Sequence, residues 1–354
     1  MRIEVAHPSE LSDEHVARWR AHQAACPDLA SPYLTPDWAR IVGKARKDAR
    51  VVILDGGRGY LGVELVSRYA AMGLGAPIAD YQGVVGEPAL EVCAGEVCRA
   101  LKVGRIDFAS VPAGQSILAG RVAGGESSWY ADVSQGAGAY AAGLRERRSE
   151  FVRQMDKKLR RLSDEGLIKF TALSLDQQHF ETMLAWKNAQ LERSRQPRIW
   201  ERPWVRQVLD DTFAARERAF SGALFTLTLD GELVAANYLL RAEGVLHGWI
   251  MAHDTAYDRF SPGVQLARWA IGWAADKGLR EVDFGGGEYM LKRQLSTHQR
   301  PTEWGTAAGR SFSGALRRAE FAVRARIEKL PQPRLAALPG KAMRRLDLMR
   351  ALSA

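Results

Sequence analysis

The sequence predicts an α+β protein of two domains followed by a basic helical tail. Three observations carry that expectation. A chain of 354 residues is about twice the length of a common domain. Short β-rich runs and amphipathic helical stretches mix through both halves. The charge is uneven: 50 Lys and Arg against 41 Asp and Glu give a net +9, and residues 310–354 alone hold 11 basic and 3 acidic side chains. The remainder is close to neutral, whereas a core that wraps nucleic acid carries its own basic stripe.

Other classes fall away on composition. With 46% hydrophobic and 26% charged residues, wholesale disorder is excluded. Three cysteines (Cys26, Cys93 and Cys98) form no CxxC pair, which argues against a disulfide framework or a Cys-based zinc site and fits a reducing compartment. No HExxH or comparable ligand set appears, so no catalytic metal is expected. The polar start MRIEVAHPSE has no apolar h-region and no apolar run of spanning length occurs. The expectation is a cytoplasmic protein without a signal peptide or membrane span.

The first domain is placed at 1–135. Ile3 and Val5 mark a short strand, and 14–25 a helix with Asp13 as its cap. Thr35 caps a second helix, with Pro36 at its first position. The β-rich runs 51–54 and 60–66 flank Asp55-Gly-Gly-Arg-Gly59, a hairpin signal. Strands follow at 106–108 and 129–133.

The second domain, 136–309, opens with a long helix over 139–165. Tyr140, Leu144, Phe151, Met155, Leu159 and Leu162 share its apolar stripe, arginines and lysines crowd the other faces, and Gly166 stops it. Then come a strand at 167–173, helices at 176–193 and 203–220, and a hairpin 223–229/233–241 around Asp230-Gly231. A strand at 245–251, a helix from Ser261-Pro-Gly263 to about 277, and a strand at 281–284 running into Gly285-Gly-Gly287 complete it. The glycine run lacks the GxxxxGK[ST] and GxGxxG spacings of phosphate loops.

The chemistry concentrates in 244–292. Backbone N–H groups at the helix start Ser261–Val264 suit an anion. Pro262 pre-sets the first turn and Gly263 allows a close approach; the plainer reading is a capped helix start. The order of this strand, the Ser261-Pro-Gly-Val264 turn, the helix and Asp283-Phe-Gly-Gly-Gly-Glu-Tyr-Met-Leu-Lys292 resembles the GNAT-like acyltransferases of bacterial cellulose and exopolysaccharide clusters. These are the CelD/BcsL type, which includes holdfast polysaccharide N-acetyltransferases and is related to Fem-type peptidyltransferases. Ser31-Pro-Tyr33 with Trp38, Asp80-Tyr-Gln82, and Tyr130-Ala-Asp-Val133 before an Arg-rich helix extend the resemblance over roughly 30–305. Two residues more than the usual pattern separate Tyr289 from Lys292.

The resemblance implies tandem GNAT-like domains and acetyl-CoA as co-substrate. Its pyrophosphate would lie on Ser261, Pro262, Gly263 and Val264, and its thioester against the strand at Ile250, Met251 and Ala252. Glu288 is the candidate base and Tyr289 the candidate acid; Asp283 is a second base, and Lys292 an oxyanion or acceptor contact. Asp80, Tyr81, Gln82, Trp186, Lys187 and His253 would line the acceptor groove. The plainer alternatives are a Glu288–Lys292 surface ion pair, a packed Tyr289, a structural His253, and solvated charges after Trp186. The implied activity is acetylation of a polysaccharide or lipid-linked amino sugar at the cytoplasmic membrane face. A Fem-like aminoacyl-tRNA-dependent transferase and a non-catalytic binding protein are the competing expectations.

In the tail at 310–354, Leu316, Ala319, Val323, Ile327 and Leu330 recur at helical spacing beside arginines. After Pro331 and Pro333, Met343, Leu346 and Met349 accompany Lys341, Arg344, Arg345 and Arg350. Three readings stay open: a peripheral contact with an anionic membrane, packing of 312–330 on the body with 334–354 loose, or clustered arginines that bind an anionic regulator such as a cyclic dinucleotide.

Overall fold

A computed structural model of the chain describes residues 1–328 together with 340, 343, 346–349, 351 and 352. In chain order its elements are β1 (Ile3–Ala6), α1 (Asp13–Ala25), α2 (Pro36–Ala45), β2 (Ala49–Leu54), β3 (Gly59–Ser67), β4 (Ala70–Gly73), β5 (Val84–Gly86), α3 (Ala94–Ala100), β6 (Arg105–Pro112) and β7 (Val122–Asp132). There follow α4 (Ala137–Arg147), α5 (Ser149–Ser163), β8 (Ile168–Thr171), α6 (Gln177–Arg193), α7 (Pro203–Ala214), β9 (Ser221–Leu229), β10 (Glu232–Ala242), β11 (Val245–His253), α8 (Pro262–Asp276), β12 (Glu281–Asp283), α9 (Met290–Leu295), β13 (His298–Ala308) and α10 (Phe312–Glu328). No helix among the described residues is long and apolar enough to cross a membrane.

The chain divides into two units, Met1–Glu126 with Pro301–Ala354, and Ser127–Arg300. In the first, β2 and β3 form the expected antiparallel hairpin, Leu54 opposite Gly59. Its turn needs left-handed backbone, with φ of 66° at Gly56 and 101° at Gly57, which glycine supplies without a Cβ clash. β1 joins β2, β4 and β5 join β3, and β6 lies between β4 and β13. Val52, Leu61, Val63, Val97, Ile106, Phe108 and Ile117 build the core. On α1 the cap is Ser12, whose Oγ accepts from the His15 N–H; Thr35 caps α2 as the sequence predicts.

In the second unit β8, β9, β10, β11 and β12 follow one another, with β12 parallel to β11 and antiparallel to β7. The uniformly buried β9 and α8, with Leu266, Ile271 and Ala274, face a core completed by Leu144, Val152 and Leu162. The single helix expected over 139–165 is two helices. Arg148 leaves helical geometry (φ −142°, ψ 43°), where a continued helix would set it against Arg145 at i,i+3, a like-charge pair.

Part of the segment 334–354, which one of the three tail readings leaves loose, packs on the first unit. Ala351 and Leu352 are buried, Arg46 Nη1 donates to the Ala351 carbonyl at 3.3 Å, and Arg317 donates to Asp347 at 2.5 Å. Leu330, Lys341, Arg344, Arg345 and Arg350 lie outside the described residues.

Glu64 on β3 is fully buried, with Arg46 Nη2 4.0 Å from its carboxylate. Burial outweighs that attraction and pushes its carboxyl up to about 8. The unfolded chain releases this proton from its ordinary 4.5 upward while the fold retains it, so Glu64 makes stability fall as pH rises from about 4.5 to about 8. Glu64→Gln is expected to match the wild type near pH 4.5 and to have the higher urea midpoint at pH 8. Parallel pH profiles of the two midpoints would contradict this.

Candidate active site

Two pieces of the second unit converge on chemistry. The first is the end of β11 with the start of α8. Opposite β10, the register slips by one residue, Tyr238 facing Ile250 but Leu239 facing Gly248, so Trp249 is bulged. On the other side β12 accompanies β11 for three pairs only, Val245–Glu281 to His247–Asp283. From Gly248 onward β11 has no strand neighbour on that side among the described residues, and its edge presents backbone donors and acceptors. Ile250 and Ala252 point into the core; Met251 and His253 are half-buried.

Ser261, ahead of α8, takes a left-handed conformation (φ 54°, ψ 53°) that a non-glycine residue adopts at a cost. Its hydroxyl does not cap the helix. Instead Lys158 on α5 donates to Ser261 Oγ at 2.8 Å, and the N–H groups of Val264 and Gln265 fold back on the Ser261 carbonyl. A positive side chain at the positive end of a helix is unfavourable by itself, and it becomes favourable when an anion lies between. Pro262 and Gly263 are buried. A Cβ on Gly263 would sit 3.3 Å from Met251 Sδ and 3.6 Å from His253 Nδ1, so the helix start lies close against the end of the strand. His253 Nε2 lies 2.7 Å from Asp258 Oδ1.

The second piece is the end of β12. Asp283 is buried and heavily engaged. Ser128 Oγ donates to it at 3.1 Å, the Gly285 N–H at 2.7 Å and Arg300 Nη1 at 3.2 Å; His247 Nδ1 is 3.7 Å away. Arg300 also donates to both oxygens of Glu281, at 3.2 and 3.0 Å, and lies 4.7 Å above the Tyr130 ring. Burial nonetheless raises the Glu281 carboxyl above its ordinary range. The network anchors the loop through Gly285 (φ 71°) and Gly287 (φ 90°), which delivers Glu288 and Tyr289 to the surface. Tyr289 is 67% exposed. Lys292 donates to the Gly286 carbonyl and stands 5.3 Å from the Tyr289 ring centre. Glu288 pairs at 3.8 Å with Arg293, the neighbour of the lysine expected for that pair.

Met251, His253, Ser261, Pro262, Gly263 and Lys158 therefore come together, as do Asp283, Glu288, Tyr289 and Lys292 along one loop. Trp186 and Lys187 lie half-buried on α6; Lys187 donates to Gln190, and burial holds its ammonium below the usual lysine range. Asp80, Tyr81 and Gln82 belong to the first unit, where Tyr81 and Gln82 are buried and Gln82 accepts from the Ala109 N–H. The sequence reading did not single out Lys158, Arg300 or His247. Lys158 had a signal: it lies three residues after Met155 and four before Leu162, both buried, which puts it beside the inward stripe. No group of three metal-ligating side chains occurs among the described residues.

Residues 149–293 match the acetyltransferase (GNAT) domain model. No curated protein matches the sequence. Among solved structures, FemX is similar with a TM-score of 0.58 at 12% identity, over 86% of this chain and 97% of its own. The C-terminal domain of a putative lysylphosphatidylglycerol synthetase from Agrobacterium fabrum reaches 0.56 at 12% identity, over 88% and 95%. A conserved protein of unknown function from Bacteroides thetaiotaomicron reaches 0.55 at 11%, over 87% and 100%. The fold is that of the GNAT-type acyltransferases, and the protein is an acyltransferase.

Removing the Asp283 carboxylate leaves Arg300 paired with Glu281 alone and takes the acceptor from the Ser128 hydroxyl and the Gly285 N–H, at about 1–3 kcal/mol for each buried donor left unsatisfied. Asp283→Ala is expected to lower unfolding free energy by that order, read by urea titration. A loss of activity with unchanged stability would instead place Asp283 in proton transfer.

Proposed function

We propose that the protein transfers an acetyl group from acetyl-CoA to the amine of an amino sugar, on a surface polysaccharide or its lipid-linked precursor. The observation that carries the donor is Lys158 poised on Ser261 at the start of α8, beside the unpartnered edge of β11. A lysine beside the positive end of a helix suits a pyrophosphate, and the strand edge that β12 leaves uncovered suits an amide-bearing arm. The residues present fit the group, which supplies the acyl carbon as an activated thioester.

The chain's own residues do the rest. Glu288 takes one proton from the ammonium to free the amine, the amine nitrogen bonds to the acyl carbon, and the nitrogen's second proton passes to water as the carbon–sulfur bond breaks. Tyr289 returns a proton to the departing sulfur. Lys292, against the Tyr289 ring, eases negative charge developing there. Asp283, with its oxygens already taken by Ser128, Gly285 and Arg300, fixes the loop. The polysaccharide acceptor is supported by the resemblance of the 261–292 block to the exopolysaccharide-cluster enzymes. A Fem-like transfer from aminoacyl-tRNA has one observation in its favour, the eight basic against three acidic side chains over 137–163; the near-neutral remainder of the second domain weighs against it.

Incubation with acetyl-CoA and a deacetylated amino-sugar oligomer is expected to release free CoA thiol and form an N-acetyl product. Turnover only with aminoacyl-tRNA, or no CoA binding by calorimetry, would defeat the reading. Lys158→Ala is expected to raise KM for acetyl-CoA by about 10- to 100-fold at little cost in kcat, the worth of a charged hydrogen bond. Glu288→Gln is expected to lower kcat by about 100- to 10,000-fold, and an unaltered kcat would remove Glu288 from proton transfer.

A further inference from the structure

The helix α10 is attached by the face that the hydrophobic pattern would turn outward. Arg317 is 4% exposed; it donates to Glu320 at 2.7 Å and Asp347 at 2.5 Å, with its Nε 3.6 Å from Asp107. One turn on, Phe321 meets the Trp304 ring edge-on at 5.4 Å, and Arg324 lies 4.5 Å over that same ring. The docked face is thus arginine and aromatic. The apolar side is turned away from the body, unlike the reading in which 312–330 packs on it: Phe312 is 84% exposed, Leu316 50% and Val323 54%. Ala319, also exposed, joins them on one side of the helix at i, i+4, i+7 and i+11.

We propose that α10 is a membrane-contact helix, which lays Phe312, Leu316, Ala319 and Val323 into an anionic lipid surface while Arg317, Phe321 and Arg324 keep it fastened to the protein. Charge complementarity selects this occupant. Arg310, Arg318 and Arg326 are exposed and have no carboxylate partner among the described residues. Arg318 and Arg326 are borne by the same helix, and their long stems lift guanidinium groups to headgroup level while the apolar stripe descends. A helix with an outward apolar stripe and flanking cations lies in the plane of a bilayer interface. A second copy of the chain would bring like charges together at the same stripe. The proposal stands independently of the acetyl-transfer reading, because it concerns the first unit and is read without turnover.

The test is co-sedimentation of the full chain with phosphatidylcholine vesicles, with and without phosphatidylglycerol. The wild type is expected to bind the anionic vesicles. Phe312→Ser with Leu316→Ser should lower the partition coefficient by about a hundredfold, and Leu316→Ser alone by about tenfold. Arg318→Gln and Arg326→Gln should each cost about fivefold on anionic vesicles and little on neutral ones. The altered stripe positions are exposed, so thermal unfolding of these variants should match the wild type; the single substitution serves if the double does not fold. Wild-type protein left in the supernatant, equal binding by the stripe variants, or a wild-type dimer that the stripe substitutions dissolve would overturn the proposal.

Discussion

The carboxylate of Asp283 is the fixed point of the candidate site. It closes a strand only three residues long and sits in surroundings where an uncompensated charge would be prohibitive. Arg300 compensates it, and in doing so ties Asp283 to Glu281 on the same strand and to the Tyr130 ring on β7. Because a buried ion pair is worth little as net stability and much as geometry, its contribution here is position. The Gly285 N–H is held on Asp283, and the residues that follow leave the sheet in one direction. Shortness matters too. Had β12 continued beside β11, it would have covered the strand edge on which the donor reading depends.

The first unit solves a related problem differently. Its buried acid, Glu64, has an arginine near it but no bidentate clasp, and it is kept neutral instead. Arg46 gives its short hydrogen bonds to Asp48 and a further one to the carbonyl of Ala351. Arg317 likewise spends its donors on residues far away in sequence. Two buried arginines thus hold Ala351 and Asp347 of the tail in place, and a count of tail charges gives no hint of it.

Most elements were legible in the sequence because their signals are local. The Asp55–Gly59 turn, the Asp230-Gly231 hairpin, the Thr35 cap and the Pro262 helix start all depend on residues within a few positions of one another. What escaped was non-local or short. β4, β5 and α3 are only three to seven residues long, and β13 pairs with β6 almost two hundred residues earlier. The break at Arg148 was hidden by an apolar stripe that stays in phase across it. At the site, the sequence marked the turn at 261–264 and the loop at 283–292 by residue type and order. It could not show that Ser261 is left-handed and uncapped, that Lys158 completes the turn from another helix, or that Asp283 already has donors on both oxygens. In α10 the pattern set Leu316, Ala319 and Val323 on one side of a helix, and only the structure shows which way they face.

The first unit is assembled from both ends of the chain, Met1–Glu126 and Pro301–Ala354, around an uninterrupted second unit. A growing polypeptide meets these in a fixed order. When residue 126 leaves the ribosome, Asp107 has neither Thr306 nor Arg317 beside it, and β6 waits with one edge open. The whole of the second unit emerges before that edge can be closed. Synthesis therefore favours a sequence in which the inner unit forms first and the outer one is sealed last, with the exposed edge of β6 the place where a stalled or truncated chain would find wrong partners.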